Sequence, residues 1–376
     1  MKNMLRFSVL GLMSVITLAC GDEAAPTRPL TNNQTTTNNQ TQTDQTTNGT
    51  NNQTATNNET NNQTATNNQT TTNNQTNTNN QTTTNNQTMP PETLYVSTTD
   101  AYASGPLATQ RFELEDGDNG APREILVVAP SEPGIYAVVA FHHGFTLRTG
   151  YYSDYLEHLA SHGFIVVAPQ MGTSAFGAPS VSEEADDAQE VYDWMRGNLA
   201  AVTGVTPSFD HFGVSGHSRG AKVAWTILRR EQNLYQAIVG LDPVDGTGGP
   251  LGGQPRVANT AFPVSLPTLI IGTGLGPTGF QACAPEGDNY EQFFDASVSA
   301  TLLLANAYGH NDMLDANNSC GITCTLCADG PSDGGLRTLT YGSSTMLLRA
   351  ALQGRTQDQA AITMNLPIQN VTIDTK

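Results

Sequence analysis

Short runs of Val, Ile, Leu and Ala alternate, through most of the chain after residue 120, with longer stretches in which apolar residues recur every three or four positions. The short runs lie near Glu124–Ala129, Tyr136–Phe141, Phe164–Ala168, His211–Val214, Ala237–Leu241, Thr268–Ile271 and Thr301–Leu304, and their length and composition predict strands. The longer stretches, near Tyr152–Ser161, Glu183–Leu199, Gly220–Arg230 and Ser344–Gln353, predict amphipathic helices. Strands that are apolar at successive positions must be covered on both sides. The pattern therefore predicts an α/β fold with a mostly parallel central sheet and helices on both faces. In such sheets the chemistry gathers beyond the carboxyl ends of the strands.

The amino-terminal quarter follows a different pattern. Lys2 and Arg6 precede an apolar stretch, Phe7 to Ala19, that is too short to span a bilayer, so residues 1–19 are expected to be an export signal. It ends in Thr17-Leu-Ala-Cys20, which is similar to the lipobox of bacterial lipoproteins, with Thr17 where that motif usually has Leu. The resemblance implies lipid attachment at Cys20, and Gly21 in the next position implies sorting to the outer membrane. Residues 20–91 then carry Asn, Gln and Thr in a loose six-residue repeat with almost no apolar side chain. Such a segment cannot offset the entropy lost on ordering, which predicts a disordered tether with a reach of roughly 40 Å. Residues 92–376 remain for one catalytic domain of ample core size.

Charge narrows the partners. The chain of 376 residues has 34 acidic against 16 basic side chains, a formal net charge of −18, and the tether carries little of it. An acidic domain of this kind is not expected to bind nucleic acid or to dock directly on anionic lipid. A small-molecule substrate, a monomeric state and membrane contact only through the lipid anchor are the expectations.

The most informative chemistry lies at Phe212-Gly-Val-Ser-Gly-His-Ser-Arg-Gly-Ala-Lys-Val-Ala-Trp225. A β-branched strand precedes Gly216-His-Ser-Arg-Gly220, and Ala221, Ala224, Trp225 and Leu228 follow at helical spacing, so Ser218 stands on a strand-turn-helix elbow of the G-x-S-x-G type. The turn brings backbone so close that side chains at Gly216 and Gly220 would collide with it. Ser218 is the candidate nucleophile. Two further strand ends supply its partners. Ile238-Val-Gly-Leu-Asp-Pro-Val-Asp-Gly246 ends a strand on Asp242, preferred as the acid over Asp245, which lies deeper in the turn. The next strand leads into Gly272-Thr-Gly-Leu-Gly-Pro277 without a carboxylate, although Glu286 and Asp288 lie a little beyond. His310, in Asn306-Ala-Tyr-Gly-His-Asn-Asp-Met-Leu-Asp315, is the only histidine after the elbow and the candidate base. The order Ser, Asp, His is that of the α/β-hydrolase fold. Backbone N–H groups of Phe145, after the strand ending at Phe141, and of Arg219 are the candidate oxyanion donors. His142 and His143 read as residues that pack or cap that loop; His158, His162 and His211 read as structural, and His217 as the variable position of the elbow. No cofactor or metal is called for.

With Cys20 assigned to lipid, Cys283, Cys320, Cys324 and Cys327 remain, and an exported chain with four cysteines suggests two disulfides in any of three pairings. A zinc site on Cys320, Cys324 and Cys327 is the alternative. A bridge from Cys283 to the cluster would pin the loop carrying His310.

Taken in order, Ser161-His-Gly-Phe-Ile-Val-Val-Ala-Pro-Gln170, Gly216-His-Ser-Arg-Gly220, Gly240-Leu-Asp-Pro-Val-Asp-Gly246, Ile271-Gly-Thr-Gly-Leu-Gly276, Cys283-Ala-Pro-Glu-Gly287 and Tyr308-Gly-His-Asn-Asp-Met-Leu-Asp315 resemble the plant chlorophyllases. The early acid also resembles the platelet-activating-factor acetylhydrolases of the same superfamily. The resemblance implies an α/β-hydrolase fold and places the family's triad on Ser218, Asp242 and His310. Chlorophyllases cleave the phytyl ester of chlorophyll, but Phe145-Thr-Leu-Arg148 and residues 173–182, at the expected mouth, do not match. The expected activity is therefore hydrolysis of a hydrophobic or lipid-like ester through an acyl-enzyme. A non-catalytic surface binding module, or an acyltransferase or cofactor-free haloperoxidase using the same triad, is the alternative.

Overall fold

Val138 and Ala140 pack on one side of a central sheet while Ala137, Val139 and Phe141 pack on the other, and the same alternation recurs in the neighbouring strands. That is why segments apolar at every position are stable here as strands. The computed structural model describes residues 93–173, 178–246, 255–258, 261–278, 282–316 and 325–376. The strands are β1 (Thr109–Leu114), β2 (Ile125–Pro130), β3 (Ile135–His142), β4 (Phe164–Pro169), β5 (Thr206–His217), β6 (Ala237–Leu241), β7 (Thr268–Thr273), β8 (Ala300–Ala305) and β9 (Val371–Thr375). They form one sheet in the order β1-β2-β4-β3-β5-β6-β7-β8-β9. Strands β4, β3, β5, β6, β7 and β8 pair in parallel, and β2 and β9 run against their neighbours.

The helices between them are α1 (Ser153–Ser161), α2 (Val181–Thr203), α3 (Arg219–Arg230), α4 (Tyr290–Asp295), α5 (Gly335–Leu352) and α6 (Gln357–Ala361). Side chains of α2, α3 and α4, among them Tyr192, Met195, Trp225 and Phe293, cover one face of the sheet. Leu156 and Leu159 of α1 and Leu336, Leu339, Leu347 and Leu348 of α5 cover the other. The fold is thus the mostly parallel sheet with helices on both faces expected from the pattern, and the α/β-hydrolase arrangement that the resemblance implies. Trp225 is buried and meets Phe293 edge to face, with ring centroids 5.0 Å apart, so it clamps the helix behind the elbow to α4. Truncating such a side chain typically costs ~3–5 kcal/mol.

Helix α2 shows how local sequence sets an element's limits. Ser180 accepts from the Glu183 N–H while the Glu183 carboxylate accepts from the Ser180 N–H, a reciprocal cap that satisfies two otherwise orphaned donors. The helix stops at Gly204, whose φ of 72° is left-handed.

Several limits differ from the sequence expectation. Strand β5 begins at Thr206 rather than near His211, with a register irregularity against β3 between Ala137 and Val138. The edge strands β1 and β9 are additional; β1 is only partly buried and β9 is largely exposed, so their polar residues blur the apolar signal. Helix α5 starts at Gly335, nine residues ahead of the expected Ser344. Its polar first half includes Gly342, against which the Tyr102 ring lies too closely to admit a side chain. Tertiary packing there overrides weak helix propensity. Among the described residues no helix is long and apolar enough to cross a membrane. The expected signal, Cys20 and the whole of the expected tether lie outside the described residues.

Candidate active site

The parallel register of β5 and β6 pairs His217 with Leu241, so the next residues, Ser218 and Asp242, emerge side by side at the carboxyl rim of the sheet. Main-chain bonds knit them together: Ser218 N–H donates to Leu241 C=O at 2.9 Å, Val244 N–H to Ser218 C=O at 3.3 Å, and Asp242 N–H to Ile271 C=O at 2.6 Å. Ser218 has φ 54° and ψ −123°, and Asp242 has φ 37°, conformations that L-residues rarely adopt outside sites whose surroundings enforce them. The glycines of the elbow make this possible. A Cβ on Gly216 would lie 2.6 Å from the Ala221 nitrogen, and one on Gly220 would overlap the His142 carbonyl. Ser218 directly precedes the first turn of α3, whose positive end favours developing negative charge.

Asp242 is fully buried. Its Oδ1 accepts from the Thr273 N–H at 2.9 Å; its Oδ2 accepts from the Thr273 hydroxyl at 2.6 Å and lies 2.6 Å from His310 Nδ1. A carboxylate can only accept, so the proton of the neutral imidazole is on Nδ1 and Nε2 is the basic nitrogen. Thr273 ends β7, the strand whose following loop lacks a carboxylate. In place of an acid, that strand supplies the donor that orients one. Asp245, the other candidate in the turn, serves the fold instead: its carboxylate accepts from the Val257 and Ala258 N–H groups and pairs with the buried Lys222 at 3.2 Å. Asp288, beyond the next strand, pairs with Arg256 at 2.6 Å.

His310 lies five residues beyond β8, on a turn shaped by Asp312, whose Oδ2 accepts from the Gly309 N–H at 2.7 Å and the Gly330 N–H at 2.8 Å. The His310 ring packs at a 36° tilt against that of His217, the residue before Ser218, with centroids 4.6 Å apart. The imidazole therefore stands on the same rim as the serine. Among the described residues neither the Ser218 hydroxyl nor His310 Nε2 has a hydrogen-bond partner, leaving both available for a reacting group. In many enzymes this bond closes only when substrate is bound.

The two expected oxyanion donors are in the same condition. Among the described residues no acceptor pairs with the N–H of Phe145 or of Arg219, and the Arg219 guanidinium lies 5.4 Å from the centroid of the Phe145 ring, so the two loops adjoin. The peptide plane that carries the Phe145 N–H is fixed through its other end: Gly144 C=O accepts from His143 Nδ1 at 2.8 Å and from Leu147 N–H at 3.1 Å. His143 Nε2 in turn accepts from Met171 N–H and the Gln170 amide, each at 2.8 Å. Burial holds His143 down at about 4, so it stays neutral in this role near pH 7. His142, held down at about 3 by burial and by its neighbour His143, bonds the Tyr192 hydroxyl at 2.7 Å.

His158, His162 and His211 bond Ala101 C=O, Ser97 and Ala103 C=O, and Ser208 respectively, away from this rim. Cys283 is joined to Cys327, which ties the loop after β7 to the segment following His310. That bond removes Cys327 from the zinc arrangement considered above; a sulfur in a disulfide is no thiolate ligand. Among the described residues no cluster of three His, Cys, Asp or Glu side chains could hold a metal ion. Cys320 and Cys324 lie outside the described residues. His143 caps the loop as expected, whereas Thr273, Gln170, Tyr152 and the polar role of His217 were not foreseen. For Thr273 a signal existed, a hydroxyl at the end of the strand next to the one that carries Asp242.

Residues 97–376 match the chlorophyllase family model. The chain is 35% identical to "Chlorophyllase-1, chloroplastic" of Citrus unshiu over 282 residues, covering 70% of this chain and 84% of that protein. It is 38% identical to "Chlorophyllase-1, chloroplastic" of Citrus sinensis over 238 residues, 60% of this chain and 71% of the relative. "Chlorophyllase-2" of Arabidopsis thaliana is 36% identical over 253 residues, 62% and 79% of the respective lengths.

Proposed function

The chain belongs to the chlorophyllase family, and from that membership and the rim geometry we propose that it is a serine carboxylic-ester hydrolase acting on hydrophobic or lipid-like esters through Ser218, His310 and Asp242. Membership supports the ester-hydrolase class. One observation carries the finer reading: a fully buried carboxylate lies 2.6 Å from the Nδ1 of an imidazole whose ring packs against His217, the residue before a serine on a strained elbow. A solvated turn aspartate and an inert loop histidine would not be brought together in this way.

In this mechanism His310 Nε2 takes the Ser218 proton as Oγ bonds to the ester carbonyl carbon. The N–H groups of Phe145 and Arg219 hold the oxyanion, and Asp242 stabilises the imidazolium. The proton then passes to the departing alcohol, leaving an acyl group on Ser218. Water, deprotonated by the same nitrogen, releases the acid and restores the serine. Phe145, more than a third exposed beside the elbow, supplies an apolar wall suited to a hydrophobic ester.

A panel of p-nitrophenyl esters, a phospholipid, a polyester and chlorophyll, run with Ser218→Ala, tests the proposal. The expected result is a burst of nitrophenol with the intact protein and loss of at least ~10³-fold in kcat with the variant. Retained turnover in Ser218→Ala would remove the serine mechanism. The pattern of the first 20 residues supports a second proposal, export and lipid anchoring at Cys20 to a bacterial outer membrane. Palmitate labelling that persists in Cys20→Ser would overturn it.

A further inference from the structure

Tyr152 and His217 are buried together between the loop carrying Phe145 and the loop carrying His310. Gly144 N–H donates to the Tyr152 hydroxyl at 3.1 Å, that hydroxyl lies 2.7 Å from His217 Nδ1, and His217 Nε2 lies 3.1 Å from His310 C=O. The proton positions follow from the ends inward. A carbonyl oxygen cannot donate, so His217 carries its proton on Nε2 and gives it to His310 C=O. Nδ1 is then an acceptor, and the Tyr152 hydroxyl donates to it. The hydroxyl's lone pair takes the Gly144 N–H. Every bond in the chain is satisfied in one direction only, from the oxyanion loop to the backbone of His310.

Resting on the triad reading above, we propose that His217 and Tyr152 are positioning residues, coupling the backbone of the oxyanion loop to that of the base so that the two halves of the site stay in register around Ser218. Neither residue touches the reacting atoms. The chain closes a span that the sheet does not. The oxyanion loop follows β3 and His310 follows β8, and the parallel strands β5, β6 and β7 lie between them. Ser218 and Asp242 are held by main-chain bonds at strand ends, whereas the oxyanion loop and the His310 turn project beyond the sheet. The relay joins these two projecting segments through the residue adjacent to the nucleophile. It also requires a neutral His217. Burial, together with the adjacent His310, holds the His217 imidazole well below its ordinary value, and Tyr152 is held above the ordinary tyrosine range by burial, so the polarity of the chain is stable at neutral pH. The other titratable group facing His217 across the relay is His143, also neutral.

The test compares Tyr152→Phe, His217→Phe and His217→Gln in the full chain on p-nitrophenyl butyrate. Phenylalanine at 217 keeps a ring against His310 and loses both bonds. Glutamine can restore the polarity, donating through its amide nitrogen to His310 C=O and accepting from Tyr152 through its oxygen. The expected result is a fall in kcat of about 10- to 100-fold for both phenylalanine variants with KM changed less than about twofold, because transition-state alignment is lost and ground-state binding is not. The double variant Tyr152→Phe/His217→Phe should lose no more than His217→Phe alone, since one chain broken twice is still one broken chain. His217→Gln should recover most of kcat. A packing role predicts instead lowered melting temperature with kcat intact, no rescue by glutamine and additive losses, and any of these overturns the proposal. Ser218→Ala separates the two levels. If it is inactive while both phenylalanine variants keep kcat within about twofold, the positioning role alone fails; if it stays active, the triad reading itself has failed.

Discussion

The proposed nucleophile and acid are held in one way and the proposed base in another. Ser218 and Asp242 are the first residues beyond paired strands, and each is tied to the rim by main-chain bonds that any sequence with this register would form. His310 stands on a turn five residues past β8 and owes its place to side chains: Asp242 on its ring, His217 on its carbonyl, Asp312 on its turn, and a disulfide behind it. The strand-held half is rigid because displacing it would break the sheet. The loop-held half is correct only while its side-chain ties persist. Mutations in the first should abolish chemistry or folding, and mutations in the second should erode alignment with the fold intact.

The largest effect separates chemistry from scaffold within the strand-held half. In Asp242→Asn the Oδ1 position can still accept from Thr273 N–H, but the amide nitrogen at the Oδ2 position donates to His310 Nδ1 and forces the imidazole proton onto Nε2. The base then has no lone pair for Ser218. The expected loss in kcat is ~10³- to 10⁴-fold, with a melting temperature within about 2 °C of the parent. Wild-type turnover in this variant, measured with a p-nitrophenyl ester, would show that the acid is elsewhere.

A smaller effect is expected where the loop-held half is tied by the disulfide. The bridge between Cys283 and Cys327 closes 44 residues of chain that include the His310 turn, and Asn311 Nδ2 lies 3.1 Å from Cys327 Sγ. Chain-entropy arguments assign a loop of this length up to ~4 kcal/mol. For a domain of this size that corresponds to about 3 to 7 °C in melting temperature. Cys283→Ser/Cys327→Ser is expected to melt lower by that amount and to lose about 3- to 10-fold in kcat, because His310 samples misaligned positions while the sheet is untouched. An unchanged kcat would mean that Asp312, His217 and Asp242 suffice to hold the base, and the distinction between the halves would narrow. An unchanged melting temperature and free-thiol count on reduction would argue against the bridge.

The same division governs what could be read from the chain. Ser218, the proposed nucleophile, could be placed on its turn from the chain alone because the elbow's glycines, strand and helix are contiguous. The pairing of Asp242 with His310 was legible because Asp242 ends a β-branched run and no other histidine follows the elbow. The central strands were equally plain, being continuous apolar runs of ordinary length. What escaped notice was polar and non-local. Thr273 meets an acid 31 residues earlier in the chain, Tyr152 meets His217 across 65 residues, and His217 meets His310 across 93. No periodicity announces such pairs, and each residue type has an ordinary structural use. The edge strands escaped because solvent-facing polar residues interrupt their apolar pattern. The first half of α5 escaped because Gly342 serves the Tyr102 ring at the cost of helix propensity.

The smallest predicted effect falls at the far end of the loop-held half. Asp315 closes the His310 segment onto α1: its N–H donates to Tyr151 C=O, its Oδ2 accepts from Asp154 N–H at 3.2 Å and its Oδ1 from the Tyr341 hydroxyl at 3.4 Å. Burial, against these hydrogen bonds and with added repulsion from Asp154, pushes its carboxyl up to about 7. An unfolded aspartate titrates near ~3.9. Because the folded value is the higher one, the stability linked to this group is fully present below ~pH 4 and is lost as pH rises through about 7. Asp315→Asn removes the ionisation while keeping an amide oxygen as acceptor. Its melting temperature relative to the parent should therefore rise between pH 5 and pH 8, by about 2 °C, with kcat altered less than twofold. Thermal melts at pH 5, 6, 7 and 8 read this directly. A gap independent of pH would mean that Asp315 is solvated enough to ionise at its ordinary value, and that the last tie of the His310 segment is looser than its hydrogen bonds suggest.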